Sequence, residues 1–405
     1  MKRNAFLLGA ASGLAVVGYT DHALARALAD TPAAAGTDDR VLVIVNLQGG
    51  NDGLNTVVPY AMPEYYRFRP TLGVPQDDVL RLDATVGLNP ALKSLKDLYD
   101  RGTVAIVQGV GYPNPDLSHF RSTEIWQTSA PDKYVSTGWA GRYLDAADLP
   151  AANLFNAIAL SDVLPEVLVS DRVDVTAIAQ LNGYGLVSDR RGGVGRSEFH
   201  EIVQDTQVPF RSPYLAHVAE IEDHAQRGAE ELPQLVAGYQ PAATYPGTPI
   251  GRSLALASQI IGTKLGTRVL YVQHGSFDTH TTQKGTHDRL LADFADATAA
   301  FSTDLAAHGN DRRVLMMTFS EFGRRVAENG SRGTDHGTAA PVFVIGGGVR
   351  GGLYGAQPSL ADLDNGNLRH TTDFRSVYAT VIEKWLGRPS SRIVGGSFPS
   401  LPFLA

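Results

Sequence analysis

The residues best suited to chemistry stand where apolar runs of this 405-residue chain stop. Asp52 follows the run 41–47, and Asp116, Ser118 and His119 follow the run 103–107. His274, Asp278, His280 and His287 follow 269–272, Glu321 follows 313–319, and Asp335 and His336 come just before 342–345. Of the 11 histidines, five (119, 274, 280, 287 and 336) occupy such places. Asp, Glu and His are the hard and borderline donors of divalent ions. Singly, each has a plainer account: an Asp in a Gly-rich turn forms the turn, and a lone His satisfies a surface hydrogen bond. Turn chemistry does not explain why imidazoles and carboxylates recur at one edge of a sheet. The pattern predicts a metal site for one or two ions of zinc, manganese or calcium.

The runs dictate the elements that carry these residues. Residues 41–47 are continuously apolar and rich in Val and Ile, as in a strand buried on both faces of a central sheet. Gly49-Gly50-Asn51-Asp52-Gly53 then makes a turn. The spacing predicts a helix over 88–101, capped by Asn89, opened by Pro90 and buried through Leu88, Leu92, Leu95 and Tyr99. Strands are expected at 103–107, 269–272, 313–319 and 342–345, and helices at 119–128, 252–264, 286–307 and 372–386, the last stopped by Gly387 and Pro389. This alternation is that of an α/β fold with a mostly parallel central sheet and helices on both faces. In such folds ligands bind beyond the carboxyl ends of the strands. Residues 146–250 are less regular and read as an insertion or cap, with an exposed charged helix at 218–231.

Composition narrows the partners. A hydrophobic content of 43% with 19% charged residues is globular, and a net charge of −7 without a basic run argues against nucleic acid. The absence of Cys excludes disulfides, thiolate ligands and a cysteine nucleophile. Lys2-Arg3, the apolar stretch 5–18 and Ala23-Leu24-Ala25 form a signal peptide over 1–25. It resembles a twin-arginine export signal with Lys in place of the first Arg. A linker is expected over 26–39, no stable membrane span after cleavage, and a periplasmic or secreted location.

Six stretches, in order, resemble an exported bacterial family, domain of unknown function 1501. They are residues 47–59 (LQGGNDGLNTVVP), 112–120 (YPNPDLSHF), 137–142 (TGWAGR), 277–280 (FDTH), 320–325 (SEFGRR) and 334–337 (TDHG). That family in turn resembles the alkaline phosphatase and sulfatase superfamily. The resemblance implies one alkaline-phosphatase-like domain over 40–405. It places Asp52 in the first metal position, Asp278 and His280 in the third, Glu321 and Phe322 where an Asp-His pair is usual, and Asp335-His336 at the last. Phe322 stands where a metal-binding His is expected, and Asp278-x-His280 is tighter than the usual spacing.

Ser118 is the first candidate nucleophile, because it follows a strand and opens a helix, and His119 is its catalytic neighbour. The alternative role of Ser118 is to cap that helix. Thr56 is a second candidate, and water, with His119 or His274 as base, a third. Residues 118–122 (SHFRS) lack the Pro of the sulfatase nucleophile signature and have Arg121 one place early, which argues against a formylglycine enzyme of that kind. Among Arg121, Arg142, Arg324 and Arg375, the expected oxyanion-binding residues are Arg324, three positions after Glu321, and Arg121. The expected activity is metal-dependent hydrolysis of a phosphoric or related ester, the substrate being a small anionic ester or a cell-surface molecule. The alternative is a non-catalytic cell-surface binding or assembly module on the same fold.

Overall fold

A computed structural model describes residues 39–150, 153–178 and 231–404. The signal peptide, the linker and the charged helix at 218–231 fall, but for residues 39 and 231, outside the described residues.

Nine strands form one sheet among the described residues. In chain order they are β1 (Val41–Leu47), β2 (Val104–Gly111), β3 (Ala157–Leu160), β4 (Thr176–Ala177), β5 (Val269–His274), β6 (Val314–Phe319), β7 (Ala340–Gly346), β8 (Gly352–Tyr354) and β9 (Thr372–Asp373). Their order across the sheet is β8-β2-β7-β6-β1-β5-β3-β4, with β9 also on β2. β1 runs parallel to both β5 and β6, so Leu47 pairs with His274 and Asn46 with Phe319. Only β7 among these strands runs antiparallel to its neighbours, β2 and β6. The fold is α/β with a mostly parallel central sheet.

Alternate residues of β1 feed two cores. Val41, Val43, Val45 and Leu47 face one layer, which contains α1 (Lys93–Asp100), α4 (Pro249–Thr263) and α5 (Gln283–Ala307). Leu42 and Ile44 face the other, with α2 (His119–Thr128), α3 (Trp139–Ala146) and α6 (Phe374–Thr380). A strand covered on both faces has no polar side to show, which is why its sequence carries no alternation. A smaller core joins Leu54, Val58, Tyr65 and Val74 to Val326 and Leu368.

Two expectations change. Residues 153–178, within the stretch read as an insertion or cap, supply β3 and β4, which extend the sheet beyond β5. The helix expected over 88–101 opens as a 3-10 turn at Pro90–Leu92 before α1, with Asn89 accepting from the Ala91 amide at 2.9 Å. Leu98, 3% exposed, replaces the half-buried Tyr99 on its inner stripe.

Candidate metal centre

Beyond the carboxyl ends of β1, β5 and β6, the loops bring four functional side chains together. His119 comes from the first turn of α2, Asp278 and His280 from the loop after β5, and His336 from the segment before β7. That segment is tied back to the loop after β6: the Gly323 amide donates to Thr338 O at 2.7 Å, and the Arg325 amide to Asp335 O at 3.0 Å. The loop after β1 fits beneath through Gly49 and Gly50, both with positive φ (113° and 78°). A Cβ on Gly49 would stand 2.5 Å from the Asp278 amide nitrogen. Only glycine permits both the backbone conformation and that approach.

Ligand atoms of His119, Asp278 and His336 all lie within 4.8 Å of one another. The tautomers explain why. His336 Nδ1 is 2.8 Å from Leu117 O, which can only accept, so Nδ1 carries a proton and the neutral ring has its lone pair at Nε2. His119 Nδ1 donates in the same way to Glu321 Oε1 at 2.8 Å, and His280 Nδ1 faces Asp335 Oδ1 at 3.4 Å. The freed Nε2 atoms converge on one carboxylate. His280 Nε2 is 2.9 Å and His336 Nε2 3.3 Å from Asp278 Oδ1, while His119 Nε2 is 3.5 Å from Oδ2. His280 Nε2 and His336 Nε2 face each other at 3.0 Å.

Two lone pairs at that distance repel unless a proton or a cation lies between them. Donors about 2.0–2.1 Å from one tetrahedral ion stand roughly 3.3 Å apart, close to the spacings seen here. A backbone carbonyl or a carboxylate behind each imidazole is the usual support of a metal-binding histidine. The residues therefore fit a divalent ion, and a nitrogen-rich set suits a zinc-like ion better than calcium. The cluster is half open to solvent: the side chains of Asp278 and His280 are 45% and 40% exposed.

Other expected residues serve this cluster from behind. Glu321, 1% exposed, divides its oxygens between His119 and the Gly49 amide. It stands behind His119, with both oxygens turned inward. Asp335 likewise stands behind His280 and accepts from Asn329 at 3.0 Å. His119, expected to be catalytic, offers a ligand atom. Phe322, in the place of the expected His, packs its ring against His336 and His119, with centroids 4.4 and 4.8 Å away.

Asp52 is elsewhere. It is completely buried, and its carboxylate is taken by Arg69 and Gln283 while capping the one-turn helix Gly53–Thr56. Burial alone would raise its pKa, but the charge and hydrogen bonds of Arg69 outweigh this and hold it below the usual carboxylate value. No lone pair remains for an exposed ion. The pair reaches the cluster indirectly. Gln283 Oε1 accepts from the Thr334 hydroxyl at 2.6 Å, Thr334 O from Arg324 Nη1 at 2.8 Å, and Asp278 Oδ1 from Arg324 Nη2 at 2.7 Å. Neither Arg69 nor Gln283 carries a signal in the sequence, since each acts only through a distant partner.

Arg324 is no anchor for an oxyanion, because it is 1% exposed and its donors are spent on Gly50 O, Gly49 O, Phe277 O, Thr334 O and Asp278. Burial would raise the Asp278 pKa, but the Arg324 hydrogen bond and charge, helped by His280 and His119, keep it lowered. Arg121 turns to Pro131 O at 2.9 Å and to Glu124 at 2.9 Å. Thr56 is buried, its hydroxyl 2.8 Å from Asp52 O. Ser118 is exposed at the start of α2, directly before His119, and its side chain makes no capping hydrogen bond. His274 and His287 lie under the loops, bonded to Leu290 O and Asn51 Oδ1 at 2.9 Å each, and burial lowers both pKa values.

The family model "Protein of unknown function (DUF1501)" matches residues 105–384. The chain belongs to this family. The DUF1501 match takes in every side chain of the cluster and leaves out Asp52 and Arg69. No curated protein matches the sequence. Solved structures similar to this DUF1501 protein include the C-terminal periplasmic domain of EptC from Escherichia coli in complex with Zn (11% identity, TM-score 0.34, 83% of this chain and 77% of that one). They also include the PsFucS1 sulfatase from Pseudoalteromonas sp. (12%, TM-score 0.37, 92% and 70%). A third is an alkaline phosphatase superfamily protein from Vibrio parahaemolyticus (9%, TM-score 0.34, 87% and 70%). Among the described residues no helix is long and apolar enough to cross a membrane.

Proposed function

We propose that the protein is an exported hydrolase that holds one divalent, zinc-like ion at His119, Asp278 and His336 and cleaves a phosphoric or related ester. The observation that carries this reading is the convergence of Nε2 lone pairs, each backed at Nδ1, on the Asp278 carboxylate. Three protein donors with a position left for substrate are the pattern of catalytic rather than structural zinc. When bound, the ion supplies a Lewis acid that polarises the ester and takes up developing charge. His280, 3.0 Å from His336, flanks the open side and is held there by Asp335. Arg324 fixes Asp278 and offsets its charge.

In this reading Ser118 is the nucleophile, since it is exposed and adjoins His119. Its oxygen bonds to phosphorus, the alcohol leaves with the serine proton, and water then releases phosphate and restores the hydroxyl. The signal at 1–25 takes the protein to the periplasm or beyond. Metal analysis of the purified mature protein tests the centre, and a screen of phosphate and sulfate esters with the Asp278→Ala variant as control tests the activity. Less than about a tenth of an equivalent of metal after refilling would sink the reading.

One observation favours a second reading, a binding module on the same fold. Arg324 and Arg121, the guanidinium groups expected to grip an oxyanion, are both engaged within the protein. Full metal occupancy with no turnover of any ester and no effect of Ser118→Ala would select it.

A further inference from the structure

Four large hydrophobic side chains are exposed among the described residues: Phe120 (90%), Tyr134 (78%), Val163 (64%) and Leu164 (38%). Apolar residues scattered singly on a surface need no explanation, but these gather around one helix. Phe120 is in the first turn of α2, next to the ligand His119. Tyr134 is pinned beside the same turn, its ring centre 4.2 Å from the Arg121 guanidinium. Val163 and Leu164 lead into the 3-10 turn Glu166–Leu168, which packs on α2 and donates from the Val167 amide to Gln127 Oε1 at 3.0 Å.

The setting says what kind of group fits. Arg121 is engaged by Glu124 and the Pro131 carbonyl, and Lys133, beside Tyr134, is exposed. Glu124 and Glu166 stand close enough that burial and the Glu124 charge push the Glu166 carboxyl up to about 7. A neutral hydrocarbon would cover the exposed rings. Phe120 follows His119 in the same helix turn, so it is a neighbour of any ester whose anionic end reaches the ion.

We propose that this face of α2 binds the uncharged, apolar part of the ester whose anionic group the His119–Asp278–His336 centre takes, with Phe120 as a specificity-determining side chain. The proposal rests on the hydrolase reading, and its test separates the two. Methyl-, butyl- and octylphosphonate are titrated into the zinc-loaded protein by calorimetry, and 1-butanol and 1-octanol binding is followed by saturation-transfer NMR. In the wild type, affinity should rise about tenfold from butyl- to octylphosphonate, a fraction of what full burial of four methylenes would give. Phe120→Ala should abolish that rise and leave methylphosphonate binding unchanged. Phe120→Leu should restore part of it, and 1-octanol binding should follow the same pattern. A flat series in the wild type, or a rise that Phe120→Ala retains, overturns the proposal. Octanol binding that depends on Phe120, without any methylphosphonate binding, overturns the ester reading and with it the link between this surface and the centre.

Discussion

Asp278 and Asp52 follow neighbouring, paired strands of one sheet, β5 and β1. Each lies among polar residues in a loop at the same edge. Their surroundings differ completely. Asp278 is 45% exposed and faces the Nε2 atoms of His119, His280 and His336. Asp52 is fully buried with Arg69, Gln283 and the Asn55 amide on its oxygens. Both carboxylates have an arginine, but Arg324 takes only Oδ1 of Asp278, whereas Arg69 and Gln283 occupy both oxygens of Asp52. A residue type at a strand end therefore does not define a ligand. What defines it is whether the groups behind it leave the outward atom uncommitted.

The largest effect should come from the open side of this comparison. Asp278→Ala and His336→Ala should each drop metal content from about one equivalent to under about a tenth, measured by elemental analysis, with the fold kept. Normal metal content in both would erase the distinction between the two aspartates.

On the closed side the loss should appear as stability. Asp52→Asn leaves the Arg69 guanidinium buried without its partner, which costs about 3–5 kcal/mol. Urea denaturation checks this, and metal per folded molecule should stay near the wild-type level. The contribution depends on pH. The folded pKa of Asp52 lies below the ordinary value of 3.8, so the pair's contribution is complete above that value and is lost as pH falls through the folded one. The stability gap between wild type and Asp52→Asn should accordingly narrow below about pH 4. A gap that widened with acid would contradict the ion pair.

Much of this arrangement is legible in the sequence. The runs that became β1, β5 and β6 announce themselves because both faces are covered, so apolar residues follow one another without alternation. The strand ends pick out His119, Asp278, His280 and His336, all of which meet. The same rule also picks out His274 and His287, which are buried, and Asp52, which is paired. It fails there because exposure and partners are properties of packing. Nothing local marks Arg69 as the partner of Asp52 or the Leu117 carbonyl as the support of His336. The antiparallel direction of β7 is equally silent, since a buried strand reads alike in either sense. The two short strands at 157–160 and 176–177 are hidden by their length, and only pairing beside β5 brings them into the sheet.

A smaller effect should sharpen the boundary between ligand and support. Glu321→Gln keeps a hydrogen-bond acceptor near His119 but removes the carboxylate that fixes its tautomer. Metal affinity, read by competition with a chelator, should fall by about 10–100-fold, less than for removal of a ligand. A loss as complete as that of Asp278→Ala would make Glu321 a ligand after all.

The smallest effect is expected at Arg121, which stands one helix position beyond Phe120 and belongs to neither region. Its guanidinium bonds to the Pro131 carbonyl, pairs with Glu124 and lies over the Tyr134 ring. Arg121→Ala should cost about 1–3 kcal/mol, because the Arg121 and Glu124 side chains are only 17% and 20% exposed and Glu124 loses a partly buried partner. Metal content should not change, since no atom of Arg121 touches a ligand or a ligand's support. The informative readout is affinity for anionic esters. If Arg121→Ala weakened methylphosphonate binding tenfold while metal stayed bound, Arg121 would have to leave Pro131 and Glu124 on binding and turn toward the centre. The open region would then extend one residue further along the helix than its contacts show, and Arg121 would take back the oxyanion role that its position in the sequence suggests.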